Sequence, residues 1–168
     1  MTASMTTQVT GVRETIIGLR KLDPELRKQF NRDVKAIAKP IVDAAKGDYP
    51  AMPLSGMTRA WSQRGRELFP WSSSDVRKGV KVKIDTKRTA VATIKIQQTN
   101  PAAAIYELAG KRASNPQGRA FINNLEARFG RAQRVLWPAY ERNSQAIIAE
   151  MKNTVDAAAV EVQRWIIL

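Results

Sequence analysis

The chain has 168 residues, 43% apolar and 26% charged, which fits one globular domain with its own hydrophobic core. It has no Cys and no His, which excludes disulfides, thiol nucleophiles, Cys/His zinc sites and His acid–base catalysis, and so points away from most enzymes. Net charge is +13, concentrated in residues 46–134, which carry 17 basic and 6 acidic side chains, whereas residues 135–168 carry 3 and 4.

Residues 1–7 read as a loose start, and Gln8-Val9-Thr10 as a short edge strand. No targeting segment is visible before Arg13, and no run is long and apolar enough to span a bilayer, so a soluble chain made in a cytoplasm is expected. Val12, Ile16, Leu19 and Leu22 recur at helical spacing. Asp23-Pro24-Glu25 is a helix start, with an N-cap acceptor, Pro at the first position and an acid at the positive end of the dipole. The stripe Leu26, Phe30, Val34, Ile37, Ile41 carries this helix to about Lys46, with a kink or break at Pro40.

Residues 47–75 read as a long irregular loop, since Pro50, Pro53, Gly56, Gly65 and Pro70 forbid a long regular element. The loop holds Tyr49, Trp61, Phe69 and Trp71, which either pin it to the core or face a partner. Val80, Val82 and Ile84 alternate with Lys81 and Lys83, and Ala90, Ala92, Ile94 and Ile96 alternate with Val91, Thr93 and Lys95. With Asp85-Thr86-Lys87-Arg88 as the turn, this predicts a hairpin with one buried and one basic face. Two strands alone are marginal, so the hairpin must pack on helices.

Asn100-Pro101 opens a short helix that stops at Gly110, and residues 111–119 read as a polar basic loop. Phe121, Ile122, Leu125 and Phe129 suggest a short helical turn. Trp137-Pro138 starts the longest helix, with the stripe Tyr140, Ser144, Ile147, Met151, Val155, Ala158, Val162, Trp165. The apolar cluster Trp165-Ile166-Ile167-Leu168 either folds back on the core or meets another subunit. The expected fold is α+β: long N-terminal and C-terminal helices packed on a small antiparallel β-sheet with extended loops, all in one domain spanning residues 1–168.

Catalytic motifs are not found. Gly110-Lys111-Arg112 lacks the earlier Gly and the following Ser or Thr of a phosphate-binding loop, and Pro53-Leu54-Ser55-Gly56 lacks the Gly of a nucleophile elbow. The acids are scattered, with no paired-carboxylate metal motif, and no cofactor is expected. The basic middle favours polyanions, although a soluble, self-repelling surface accounts for the same charge. Candidate polyanion contacts are Arg77, Lys78, Lys81, Lys83, Lys87, Arg88 and Lys95, which would neutralise phosphates without reading base sequence. An acidic neighbouring protein would want the same residues.

The order of motifs resembles the small tail-completion (neck) proteins of long-tailed double-stranded-DNA phages, the family that includes the minor tail protein Z of phage lambda. Val9-Thr10-Gly11 leads to Leu19 and Leu22, then to Ala44-Ala45-Lys46 and Pro50. Pro53-Leu54-Ser55-Gly56-Met57-Thr58-Arg59 is similar to the family's Pro-x-(Ser/Thr)-Gly-x-Leu-Arg, with Thr58 in place of Leu. After the hairpin, Ile105-Tyr106-Glu107-Leu108-Ala109-Gly110 is similar to Tyr-x-x-x-Glu-Phe-Gly with one extra residue before the Gly. Phe121-Ile122 and Trp137-Pro138-Ala139 carry parts of the final Pro-Phe-(Ile/Leu)-x-Pro-Ala segment, separated by an insertion.

The resemblance implies a non-catalytic structural virion protein at the head-proximal end of the tail, acting in head–tail joining. It implies a homo-oligomeric ring of six-fold symmetry beside tail terminator and connector or head-closure proteins, with no membrane contact. Terminator, head-closure and tail-completion roles are not separated by it. Interface residues expected on this basis are Arg59, Trp61, Arg64, Arg66, Phe69 and Trp71 in the long loop, Lys111 and Arg112 in the basic loop, and Trp165, Ile166, Ile167 and Leu168. The alternative is a basic, non-specific DNA-binding protein with an architectural or packaging role.

Overall fold

The computed structural model describes residues 3–7, 17, 24–54, 57, 61–63, 66–68, 70–85, 93–110 and 113–167. The expected strand at 8–10 and the turn at 86–88 lie outside these residues, as does the Val12–Leu22 helix apart from Ile17, which is helical.

Helix α1 (Pro24–Ile37) starts at the expected proline, has Glu25 in its first turn, and buries Phe30 and Val34. The break falls at Ala38, and Pro40 sits in the first turn of α2 (Lys39–Asp48). There its missing N–H costs nothing, because the first-turn donors have no intrahelical acceptor. Helix α2 buries Ile41, Val42 and Ala45.

The long loop is more regular than its prolines and glycines suggest. It contains a two-stranded hairpin of β2 (Trp61–Gln63) and β3 (Arg66–Leu68). Its end is taken into α3 (Ser73–Gly79), whose N-cap Ser72 accepts the Asp75 N–H through Oγ at 3.3 Å. The pattern Ser72-x-x-Asp75 is a helix-start signal of the capping-box type.

Strands β4 (Val80–Asp85) and β5 (Thr93–Gln98) form the expected antiparallel hairpin, with Val82 opposite Ile96 and Lys83 opposite Lys95. A third strand, β1 (Ala3–Thr7), pairs antiparallel with the other edge of β5, giving the order β1-β5-β4. Residues 1–7 are therefore not a loose start. Their five-residue segment has only a short alternation, Ala3 and Met5 against Ser4 and Thr6, and what orders it is the hydrogen-bonding edge of β5.

Helix α4 (Pro101–Leu108) is capped by Asn100, whose Oδ1 accepts from Ala103 N–H at 3.0 Å. The same device recurs at Asn115, whose Oδ1 accepts from Gly118 N–H at 2.6 Å and starts α5 (Pro116–Phe129). The basic loop thus ends at Asn115, Arg119 is helical, and the expected single turn around Phe121 is a 14-residue helix. It stops at Gly130, whose φ of +80° suits a residue without Cβ. Helix α6 (Leu136–Ile167) has 32 residues, about 48 Å of helix. Its expected stripe is the buried one: Ile147, Met151 and Val155 are buried, and Tyr140, Ala158 and Val162 pack at the margin.

The fold is α+β, with the broken N-terminal helix and the long C-terminal helix packed against a small antiparallel sheet. Helix α6 lies along α1 and α2 and also touches β1, while α2 and α4 meet the sheet. Val80, Ile94 and Ile96 face inward and are buried, with Val82 and Ile84 partly so.

One polar pair is built into this core. Gln98 is fully buried, donates through Nε2 to Val76 C=O at 3.0 Å, and accepts from Asn100 N–H at 2.8 Å. A Cβ on Gly79 would collide with Gln98 Oε1 and lie 3.0 Å from Asn100. Gly79→Ala should therefore displace Gln98 and lower stability by about 1–3 kcal/mol. Urea unfolding of the two proteins measures this, and an unchanged midpoint would show that the junction has room.

Candidate functional site

The outer face of the sheet follows from strand alternation. Val80 and Val82 point inward, so Lys81 and Lys83 point outward, and both are exposed. Lys95, half-buried, stands opposite Lys83, and Gln97 stands opposite Lys81. Ser4 and Thr6 of β1 occupy the register positions beside Gln97 and Lys95. Strands β4 and β5 thus bring three lysines of the expected polyanion set onto one face. Arg77 and Lys78, both exposed, precede β4 in α3, and Lys78 lies 3.9 Å from Asp75. Lys87 and Arg88 fall outside the described residues.

The expected interface residues divide differently. Trp71 is 8% exposed and belongs to the core, not to a docking surface. Its indole N–H donates to Ala51 C=O at 3.1 Å, and its backbone N–H donates to Met57 C=O at 3.1 Å. Its ring packs edge-on against Tyr106 at 5.5 Å and lies 6.4 Å from Tyr49, while Tyr106 meets Phe129 at 5.4 Å. This aromatic cluster pins both ends of the segment from Tyr49 to Trp71. Arg59, Arg64, Phe69, Lys111, Arg112 and Leu168 lie outside the described residues. Trp61 and Arg66 stand at the two ends of β2 and β3 that pair with Leu68 and Gln63. Residues Trp165, Ile166 and Ile167 continue α6 as helix.

A second constellation was not legible as a site. Glu107, 2% exposed, points its carboxylate at the start of α6. Oε1 accepts from Leu136 N–H at 2.7 Å, and both oxygens lie within 3.2 Å of Val135 N. The Glu107 C=O also accepts from Gln133 N–H at 2.7 Å, and Gln133 takes a φ of 69°, uncommon for a residue with a Cβ. Arg134 completes the joint: Nε donates to Gly130 C=O at 2.9 Å, Nη1 donates to Tyr106 C=O at 2.5 Å, and the guanidinium lies 5.6 Å from the Tyr106 ring centroid. Burial pushes the Glu107 carboxyl up from its ordinary value, against the opposing pull of the Leu136 and Val135 N–H groups and of Arg134. Burial likewise pushes the Tyr106 hydroxyl up to about 12. A buried acid that caps a helix from another element gives no local sequence signal beyond the acid itself.

Among the described residues no group of Cys, His, Asp or Glu side chains is arranged to hold a metal ion, and no helix is long and apolar enough to cross a membrane. Compared with models of known protein families, with curated proteins and with solved structures, the chain matches none.

Glu107→Ala leaves two buried N–H groups without an acceptor and should cost about 2–4 kcal/mol. Because the folded-state carboxyl is raised above its unfolded value, the stabilisation associated with Glu107 is full below the unfolded value near 4 and declines as pH rises through the folded one. Wild-type stability should therefore fall relative to Glu107→Gln as pH rises from about 4, as urea unfolding over a pH series would show; a difference independent of pH would mean the carboxyl is not raised. Trp71→Ala should cost about 3–5 kcal/mol, in line with truncation of a buried aromatic. A variant with an unchanged melting temperature would place Trp71 outside the core.

Proposed function

We propose that this chain is a structural, non-catalytic virion protein of a long-tailed double-stranded-DNA phage. It completes the tail at its head-proximal end and forms part of the head–tail neck as a ring subunit. What carries the proposal is a contact between two separate parts of the resemblance. Tyr106-Glu107 belongs to one motif and Trp137-Pro138-Ala139 to another, and the Glu107 carboxylate bonds Val135 N–H and Leu136 N–H immediately before the second. Residues 28 positions apart that look like weak packing motifs by themselves are thus parts of one joint. Pro53 and Met57, from a third motif, are buried, and Met57 C=O accepts from Trp71 N–H.

Surface chemistry supports assembly rather than catalysis. Leu108 and Trp137 directly follow the bonded residues Glu107 and Leu136, and they are 42% and 43% exposed. Trp137 lies 5.6 Å from Tyr140, which gives a semi-rigid aromatic pair at the surface. An exposed Trp beside aliphatic surface is the type of anchor that dominates protein interfaces. A ring subunit needs two different patches, one for each neighbour, and this joint and the hairpin of β2 and β3 lie on separate segments. The ring is proposed as six-fold, with tail terminator and connector or head-closure proteins as its neighbours.

Electron microscopy of lysates from a host phage lacking this gene tests the proposal. Full heads beside separate tails of finished length are the expected result. Intact virions, or no filled heads, would overturn it. Complementation with Trp137→Ala, which removes an exposed side chain, should leave the fold intact. Truncation of an interface anchor costs about 2 kcal/mol or more, so joined particles should fall by about tenfold or more. Normal yield would exclude Trp137 as the anchor.

A further inference from the structure

We infer that the outer face of the three-stranded sheet binds the phosphate backbone of duplex DNA, with Lys81 and Lys83 as its central contacts. This stands independently of the neck proposal. Lys81 and Lys83 are exposed and form no ion pair among the described residues. As neighbours on one side of a strand they are about 6.7 Å apart. Along one DNA strand the axial rise per phosphate is about 3.4 Å, so this spacing spans about two phosphate steps. Lys95 lies across from Lys83 on β5, and Gln97 across from Lys81, so the row of charges is two strands wide.

The composition of this face selects among anionic partners. A protein partner needs an anchor, and protein interfaces are enriched in aromatic residues and Arg and depleted in Lys. Here the outward positions of β4 and β5 with described side chains hold Lys81, Lys83, Lys95 and Gln97, with no aromatic or aliphatic residue among them. Single-stranded nucleic acid is gripped through stacked bases, which need aromatic platforms that these positions lack. An anionic membrane surface holds an inserted apolar side chain as well as charge, and these positions offer none. What a flat row of lysines on a rigid sheet does offer is regularly spaced, sequence-independent neutralisation, which matches a double helix.

The purified full chain and a fluorescent 20-base-pair duplex test this by anisotropy between 50 and 200 mM salt. Each neutralised phosphate contributes about 0.9 to the slope of log K against log salt. Lys81→Gln/Lys83→Gln should therefore lower the slope by about 1.8, making affinity about twelvefold less sensitive to salt over that range. Lys81→Arg/Lys83→Arg should keep the wild-type slope, and Lys152→Gln, exposed on α6, should leave it unchanged. Far-UV circular dichroism confirms that each variant is folded, and Lys83→Gln alone should lower the slope by about 0.9. A wild-type slope in the double Gln variant overturns the inference. So does loss of slope in the Arg variant, an equal loss in Lys152→Gln, tighter binding to single strand or to anionic vesicles, or no binding of wild type at 50 mM salt. None of these outcomes bears on head–tail joining, which is read in lysates.

Discussion

The buried carboxylate of Glu107 is the constraint from which the rest of the packing follows. Helix α6 begins without a side-chain cap of its own, so its first N–H groups must find acceptors elsewhere. Glu107 supplies them from the end of α4, with Oε1 at 2.7 Å from Leu136 N. A negative charge at a helix N-terminus is favourable, and a charged acceptor strengthens the hydrogen bonds. Desolvation opposes this and is the larger influence on the carboxyl. The balance is workable because Arg134 stands beside Tyr106 and brings positive charge into the same neighbourhood. The Gln133 backbone is held in its left-handed conformation by the bond to Glu107 C=O. One acidic residue thus fixes where the longest helix starts and in which direction it leaves.

From that start the rest can be traced. With α6 aimed along α1 and α2, its stripe of Ile147, Met151 and Val155 closes the helical layer. Tyr106, next to Glu107, joins Tyr49, Trp71 and Phe129 in one aromatic cluster and gathers four segments. Gln98 ends β5 inside the core and bonds Val76 C=O on α3, so helix and sheet cannot slide past each other. Arg142 of α6 reaches Asp48 at the end of α2, an exposed ion pair that adds direction more than energy. Each polar contact sits where two elements would otherwise have only apolar, non-directional packing.

The helical layout was legible because its signals are local. Pro24, Pro101 and Pro138 mark starts, Pro40 marks a break, and the stripes of α1 and α6 have the right period. Helix α5 was not legible although Asn115-Pro116 repeats the signal of Asn100-Pro101. Leu125 is the one residue it buries deeply, and Lys111 to Arg119 has the composition of a loop. Strand β1 has an alternation of only two apolar residues, Ala3 and Met5, and exists through its pairing with β5, which no local reading of Ala3–Thr7 contains. Trp71 could have faced either way, since its ring partners Tyr49 and Tyr106 are distant in sequence. The basic sheet face was legible from the Lys81/Lys83 alternation, because a period of two reports a face directly. The role of Glu107 was legible only as part of a motif, without its cause.

The lysines of that face admit a plainer explanation. Edge strands are guarded by charged side chains, especially Lys, against pairing with another chain. Strand β4 is an edge, and Lys81 and Lys83 serve that purpose there. Lys95 does not fit it, because β5 is the central strand, paired on both sides. Edge protection also asks nothing of the position across from Lys83, where a like charge opposes pairing. An extended anion lying over the row would meet lysines of both strands, and a protective role for β4 alone accounts for only one of them. The position of Lys95, more than the number of lysines, is what separates a phosphate-contacting face from a guarded edge.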